Sequence, residues 1–513
     1  MRQKSANQTL ETNRRPATPL DDGREFARAL CAPPFVSGGG RSALRSAASR
    51  KAIANRFAHL VNMAIQLPSR VRLLLLLILT LFPLIGKAQG LEVLYSFGAM
   101  NSYGHLPYAG VTEGADGCFY GTTTGGGSSA NYGTVFKLTT YGVLTTLASF
   151  DHAAGLTPVG TLALASDGNF YGNTLGGDSS SANGTIFRVS TNGLLTTLVR
   201  FDGTNGIYPC SGLIPGNGGD LYGTTAFSIR SGGTVFRVTT NGNLTTLVTF
   251  NGDNGKSPRG RLTLGDDGAL YGTTFYGGIS NMGTVFRVTT NGALTTLFKF
   301  AGTNGACPQA YLTPGSDGSY YGTTTGGGSN HGTLFRITTN GLLTTLVMFS
   351  GTNGDSPQGG LCLGADGNFY GTTAFGGTSN MGTVFKLTTN GALTTLVNFA
   401  GSNGEQPRAE LTLGKDGRFY GTTALGGSFG VGTVFRLEVP APPCTFQSII
   451  ANDGVVSLTW STVAGRTYQL QYKDDLGGVK WLDLGEVVRA TNFVTSALDF
   501  SATNQRFYRI RVQ

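Results

Sequence analysis

The chain has 513 residues with 80 Gly, 13% charged and 40% hydrophobic side chains, and a formal net charge of +9. The basic surplus is confined to its start. Residues 1–88 hold 14 of the 37 Lys and Arg but only 4 of the 28 Asp and Glu, so the remainder carries 23 basic against 24 acidic side chains. Phosphate binding needs clustered cations, and this near-neutral remainder excludes nucleic acid as the expected partner.

Residues 1–62 are rich in Arg, Ser and Ala and show no strand pattern, which fits a disordered extension or a start codon assigned too far upstream. From Met63 the pattern is that of a secretory signal. Arg70 and Arg72 precede an apolar run, Leu73 to Ile85, and Gly86-Lys87-Ala88 forms a small-x-small cleavage site. The run is 13 residues long, whereas a membrane-spanning helix needs about 20. A signal peptide at 63–88 is therefore expected, with Gln89 as the mature start and no transmembrane span after cleavage.

Residues 89–439 are seven repeats of about fifty residues. The repeat tyrosine falls at Tyr120, Tyr171, Tyr222, Tyr271, Tyr321, Tyr370 and Tyr420, and a second anchor, Gly-Thr followed by an aliphatic residue, Phe and a basic residue, starts at Gly133, Gly184, Gly233, Gly283, Gly332, Gly382 and Gly432. Each repeat holds four short runs of Thr, Val, Leu, Phe and Tyr, which favour a pleated, half-buried surface. Asp-Gly separates the first two runs and Asn-Gly the last two, as at Asp267-Gly268 and Asn291-Gly292, and such dipeptides predict two-residue hairpin turns.

A four-stranded sheet with two apolar faces needs neighbours on both sides. The seventh repeat stops after its third run, Thr433 to Leu437, while a spare fourth run, Leu91 to Phe97, stands ahead of the first repeat. Pairing the two would remove exposed strand edges. The expected fold is all-β: a seven-bladed β-propeller of four-stranded blades closed by the N-terminal strand, with an open β-solenoid as the alternative.

The Tyr-Gly-Thr-Thr, Gly-Gly, Gly-Thr-Val-Phe-Lys/Arg and Asn-Gly-x-Leu-Thr-Thr-Leu series resembles the GloVer repeat of bacterial choice-of-anchor tandem-repeat proteins, over Leu91 to Leu437. The resemblance implies a secreted or surface-attached repeat protein of undefined activity, and it carries over no catalytic residue. After a proline-rich linker at 440–444, residues 445–513 hold both tryptophans, Trp460 and Trp481, and alternate in strand fashion. This stretch reads as a small β-sandwich, and its Leu-Thr-Trp and Tyr-x-Leu-x-Tyr strands resemble fibronectin type III-like modules. Trp460 reads as a core residue. The chain ends at Gln513 without a hydrophobic tail or sorting motif, so release outside the cell is expected, with cell-surface association as the second option and a monomer as the expected state.

Strand order puts the tight Asp-Gly and Asn-Gly turns at one end of every sheet. The longer second-to-third and fourth-to-first loops lie at the other end, where their residues differ between repeats. Binding residues gather on variable loops held by a rigid scaffold. The second-to-third loops offer Tyr132, Arg230, Tyr276, His331 and Phe429. The fourth-to-first loops offer His105, His152, Tyr208, Lys256, Arg259 and Arg408. Of these, Tyr132, Tyr208, Lys256, Arg259, Tyr276, His331 and Arg408 form the candidate binding set, since aromatic and cationic groups can stack on and hydrogen-bond a sugar or peptide. The competing reading is that they are solvated loop residues.

Hydrolysis would need two carboxylates about 5 to 10 Å apart, but the acids are mostly turn residues such as Asp167, Asp317, Asp366 and Asp416, so no catalytic residue is assigned. No metal or cofactor is expected either: His105, His152 and His331 lack ligand spacing, and the Gly-Thr-Asn-Gly loops precede no helix that could cradle a phosphate. The odd set of Cys118, Cys210, Cys307, Cys362 and Cys444 argues for small buried fillers rather than a disulfide framework. The cation after Phe in the third run of every repeat, Lys137 to Arg436, reads as a stem over apolar neighbours or a partner of the turn Asp. The function expected is a non-catalytic binding or surface-interaction scaffold for extracellular carbohydrate or protein. The alternatives are an extracellular lyase or glycosidase with its site at the channel mouth, and a purely structural envelope component.

Overall fold

The computed structural model describes residues 90–98, 104–127, 131–177, 183–439, 444–452, 455–462, 466–474, 480–490, 494–500 and 506–512. The expected extension, the signal peptide and residues 440–443 of the linker lie outside them. Among the described residues the regular structure is entirely extended, and no helix is long and apolar enough to cross a membrane.

Each repeat makes one antiparallel sheet. Six sheets have four strands, and the second repeat adds a short fifth segment, Leu156–Pro158. In the fourth repeat the strands are Thr263–Leu264, Leu270–Thr274, Thr284–Val288 and Leu294–Lys299, paired in that order. The repeat signature is written by contacts between the second and third strands. The second Thr of Tyr-Gly-Thr-Thr shares a hydrogen bond with the Thr of Gly-Thr-Val-Phe, as Thr274 Oγ1 does with Thr284 Oγ1 at 2.8 Å. The glycine between Tyr and Thr lies under the facing Phe, and a Cβ on Gly272 would fall 2.6 Å from Phe286 Cζ. Only glycine leaves room for that ring.

The turns depart from expectation. Instead of two-residue turns, the hairpins have three-residue loops: Gly265 N–H donates to Ala269 C=O (2.8 Å) around Asp266-Asp267-Gly268, and Thr289 N–H to Ala293 C=O (3.0 Å) around Thr290-Asn291-Gly292. Of these loop residues only Gly268 (φ 72°) and Gly292 (φ 92°) are left-handed, as in a type I turn followed by a bulge. With Asp267 right-handed, its Oδ1 accepts the Ala269 N–H at 3.1 Å. That side-chain bond decides the turn.

Neighbouring repeats cover each other's faces. Ala269, Tyr271, Val285 and Phe300 of the fourth repeat share one buried cluster with Leu312, Tyr320, Phe335 and Ile337 of the fifth. Tyr271 stacks on Tyr320 at 4.4 Å, and Thr273 Oγ1 donates to Ala310 C=O at 2.9 Å. The same contacts join the last repeat to the first. Phe119 stacks on Tyr420 at 3.8 Å, Thr422 donates to Ala109 C=O at 2.8 Å, and Val111, Phe119 and Phe136 share a cluster with Tyr420 and Val434. Gly90–Ser96 supplies the fourth strand missing from the seventh repeat by pairing with Thr433–Glu438, with Leu91 opposite Leu437.

The C-terminal stretch holds two three-stranded antiparallel sheets. One contains Phe446–Asn452, Val455–Ser461 and Val494–Asp499; the other contains Thr467–Lys473, Leu482–Arg489 and Phe507–Val512. Trp460 is fully buried among Leu458, Tyr468 and Leu470. Arg506 binds the buried Asp499 at 2.7 Å and packs over Tyr472. The sequence alternation at 456–460, 467–472, 481–484 and 506–512 falls on four of these strands, and Phe446–Asn452 and Val494–Asp499 are additions to it.

Gly272→Ala is expected to lower stability in denaturant unfolding by about 1–3 kcal/mol through overpacking. Phe286→Leu in the same chain recovers part of that loss, whereas strict additivity of the two substitutions would exclude the clash as its cause. Removing the residues up to Ser96 should raise amide exchange in Val434–Leu437 at least tenfold, because these residues lose their ladder partner; unchanged protection would contradict the pairing.

Candidate functional site

At the long-loop end every repeat enters its sheet through the same bend. The residue before the proline is left-handed in all seven repeats although none is glycine: Leu106, Thr157, Tyr208, Ser257, Cys307, Ser356 and Gln406 have φ of 57°, 59°, 55°, 58°, 56°, 51° and 55°. This conformation is unfavourable, most of all for β-branched Thr157, and persists only where the surroundings over-determine it. Two backbone bonds do so. Ser257 N–H donates to Gly232 C=O of the preceding repeat at 2.5 Å, and its C=O accepts Phe275 N–H of its own repeat at 2.9 Å. Leu106 N–H makes the equivalent bond to Val431 C=O, at 2.9 Å, between the first and last repeats.

This clasp explains why the loop side chains vary. Tyr132, Gly232, Met282, His331, Met381 and Val431 all accept through the main-chain carbonyl, so the joint places no demand on their side chains. Tyr208 is itself one of the left-handed residues, its ring 6.3 Å from Phe227.

Beyond the bend, the residue three positions after each proline brings unlike groups together. Arg261 lies 4.4 Å over the Tyr311 ring, a Cβ on Gly360 would fall within 2.1 Å of that same ring, and Gly110 abuts Glu410 and Thr161. Gly212 abuts Thr161 and Arg261. These positions, equivalent in successive repeats, therefore meet pairwise from one repeat to the next, and Gly110 meets Glu410 between the first and last. Tyr311 donates to Leu361 C=O at 3.0 Å, and burial pushes its pKa up, with Glu410 adding to the rise.

The three overlapping windows 80–229, 216–364 and 315–460 match the pattern described as the Gloeobacter/Verrucomicrobia repeat. The chain belongs to the Gloeobacter/Verrucomicrobia repeat family. No curated protein matches it. Among solved structures, it is similar to the gluconolactonase XC5397 from Xanthomonas campestris, with 15% identity over 57% of this chain and 88% of that one and a TM-score of 0.38. It is similar also to the extracellular domain of the putative hybrid two component system BT4673 from B. thetaiotaomicron (11%, 83% and 57%, 0.47) and to a putative 6-phosphogluconolactonase from Bacteroides uniformis (16%, 72% and 96%, 0.41). Likeness at this level carries no chemistry across.

In this Gloeobacter/Verrucomicrobia repeat protein the candidate binding residues fall into separate groups. Lys256, Arg259 and Tyr276 come together: Lys256 and Tyr276 exchange backbone bonds of 2.8 and 2.9 Å, and the Arg259 guanidinium lies 3.9 Å from the Phe275 ring and 5.8 Å from that of Tyr276. Burial lowers the Arg259 pKa, and Ser257 Oγ accepts from its Nε at 3.3 Å. Arg408 packs 5.2 Å from Tyr108 across the junction of last and first repeats, donates to Gln406 Oε1 at 2.7 Å, and is likewise lowered by burial. Tyr132 pairs with His152 at 2.5 Å and His331 with Asp355 at 2.8 Å, each pair joining a second-to-third loop to the fourth-to-first loop that follows it. Sequence reasoning missed Arg261, Tyr311 and Glu410. Their signal was a charged or bulky residue where other repeats carry Gly or Thr.

Among the described residues no group of three or more His, Cys, Asp or Glu gathers as a metal site would require. The five cysteines among the described residues are free, and burial raises each thiol, Cys210 and Cys362 to about 11. At neutral pH such thiols are not nucleophiles.

The opposite, tight-turn end carries a repeated ionic group. Tyr120 donates to Asp116 at 2.9 Å and Lys137 pairs with it at 2.8 Å; Tyr271, Asp267 and Arg287 repeat the arrangement, as do Tyr321, Asp317 and Arg336, and Tyr370, Asp366 and Lys386. Arg436 departs, pairing instead with Glu92 at 2.5 Å on the strand Gly90–Ser96. Burial alone would raise Asp116, but hydrogen bonds from Lys137, the Cys118 N–H and Tyr120 outweigh it and hold the carboxyl at about 2. Asp267, Asp317 and Asp366 are lowered by equivalent bonds against the same opposing burial. A carboxyl whose pKa is lower folded than unfolded stabilises fully above the unfolded value near 3.9 and loses that contribution as pH falls toward the folded one. Melting temperature should therefore fall between about pH 4 and pH 2, and Asp116→Asn should flatten that slope; an unchanged slope would show that the turn carboxylates do not govern acid stability.

Proposed function

We propose that the seven sheets are the blades of a seven-bladed β-propeller, closed by Gly90–Ser96, which works outside the cell as a non-catalytic scaffold binding carbohydrate or protein at its long-loop end. The observation that carries this reading is the group Lys256, Arg259, Phe275 and Tyr276, a half-buried cation against two aromatic rings on loops whose backbone is fixed. Stacking rings beside fixed donors suit a sugar ring or an extended peptide. In this reading the signal at 63–88 directs secretion, the chain works as a monomer, and residues 445–513 form a fibronectin type III-like module.

A second reading, an extracellular lyase or glycosidase, is favoured by Arg261 lying over Tyr311 with the Glu410 charge near enough to raise the Tyr311 pKa. Against it, the Tyr311 hydroxyl is engaged by Leu361 C=O and its raised pKa makes it a poor base.

A glycan array probed with the chain from residue 89 should show saturable binding that falls at least tenfold in Arg259→Ala and Tyr276→Ala. Absence of binding across the array, or binding indifferent to both substitutions, would refute carbohydrate recognition at this end. Release of new reducing ends from a bound glycan would favour the enzyme.

A further inference from the structure

Six repeats carry an aspartate in the first tight turn, and each, Asp116, Asp167, Asp267, Asp317, Asp366 and Asp416, accepts the hydroxyl of its own repeat tyrosine at 2.7–3.3 Å. In the third repeat that turn reads Asn217-Gly218-Gly219, so Gly218 stands where the others place the carboxylate. Tyr222 and Arg237 keep their places on paired strands, Tyr222 opposite Arg237 in register. The two donors are retained and the acceptor is deleted.

A cavity of about 340 Å³ lies at this turn between the third and fourth repeats, lined by Asn217, Gly218, Tyr222, Arg237, Leu264 and Asn291 among others. A Cβ on Gly218 would meet nothing within 4 Å. Arg237 reaches only Asp220, at 3.6 Å, against 2.7–2.9 Å for the matching cation in four other repeats. Burial raises the Tyr222 pKa, so its hydroxyl remains a donor.

We propose that this cavity binds a carboxylate-bearing sugar of the uronic acid type, with the ligand carboxylate taking the place of the missing aspartate. The other repeats show what a tyrosine hydroxyl beside a guanidinium or ammonium accepts there. A carboxylate makes charge-assisted bonds with both. The Asn217 and Asn291 side chains supply amide donors and acceptors for ring hydroxyls, and Leu264 an apolar contact for a C–H face. Asp220 opposes a second negative charge, which limits the ligand to one carboxylate in the pocket. The site lies at the tight-turn end, away from the loops on which the proposed function rests, so failure at either end leaves the other reading intact.

The test is saturation-transfer NMR on the chain from residue 89 with D-glucuronate, D-glucose and N-acetylaspartate. Glucuronate should bind saturably, and the other two at least tenfold more weakly. Gly218→Asp, which restores the carboxylate of the other repeats, should abolish the signal without lowering the melting temperature. Arg237→Gln should weaken binding at least tenfold, and Arg287→Gln, in a repeat that retains its aspartate, should not change it. No saturable glucuronate binding, equal binding of glucose or N-acetylaspartate, or undiminished binding by a folded Gly218→Asp variant would overturn the proposal.

Discussion

The constraint on which the rest depends is that the second strand of every repeat is buried on both faces. A four-stranded sheet cannot cover its own faces, so each repeat is stable only between two neighbours. A row of such units would leave one uncovered face at each end. Here Phe119 stacks on Tyr420, and Gly90–Ser96 completes the seventh sheet, so both terminal faces and the open strand edge disappear together. The segment ahead of the first repeat thus belongs to the core of the last.

The same requirement sorts the side chains of the repeat by task. The Thr pair, the glycine under Phe and the stacked tyrosine serve sheet and neighbour, and they recur. The left-handed residue before each proline also serves the joint, but through N–H and C=O alone, so Thr, Tyr, Ser, Cys, Leu and Gln all occupy it. Backbone bonding at the joints makes side-chain variation compatible with a rigid ring of contacts. It is this division that allows Tyr276 to occur in one repeat only, and arginine to follow the proline only at Arg259 and Arg408.

At the tight-turn end the division is reversed, because there the side chains themselves do the joining. Aspartate ties tyrosine to cation, and lost repetition is informative. Arg436 turns to Glu92 because the strand beside it comes from the front of the chain. The third repeat keeps Tyr222 and Arg237 without the aspartate, and both line a cavity there.

Period, strand number and the complementary ends were legible from sequence because they are properties of spacing and of side-chain type. The neutral balance beyond residue 88 and the family pattern were equally so. Turn geometry was not: Asp267 favours its own N–H contact to Ala269 over the left-handed conformation, and dipeptide composition does not reveal that choice. The candidate site was half legible. Variable loop residues could be named, but Lys256, Arg259 and Tyr276 meet only through the bridge between their backbones, and Arg261 and Tyr311, fifty residues apart in successive repeats, meet only because the repeats pack face to face. Sequence by itself determined what each repeat is; which unlike residues become neighbours was decided by the packing of one repeat on the next, since contacts between repeats depend on the angle between them and not on anything within one of them.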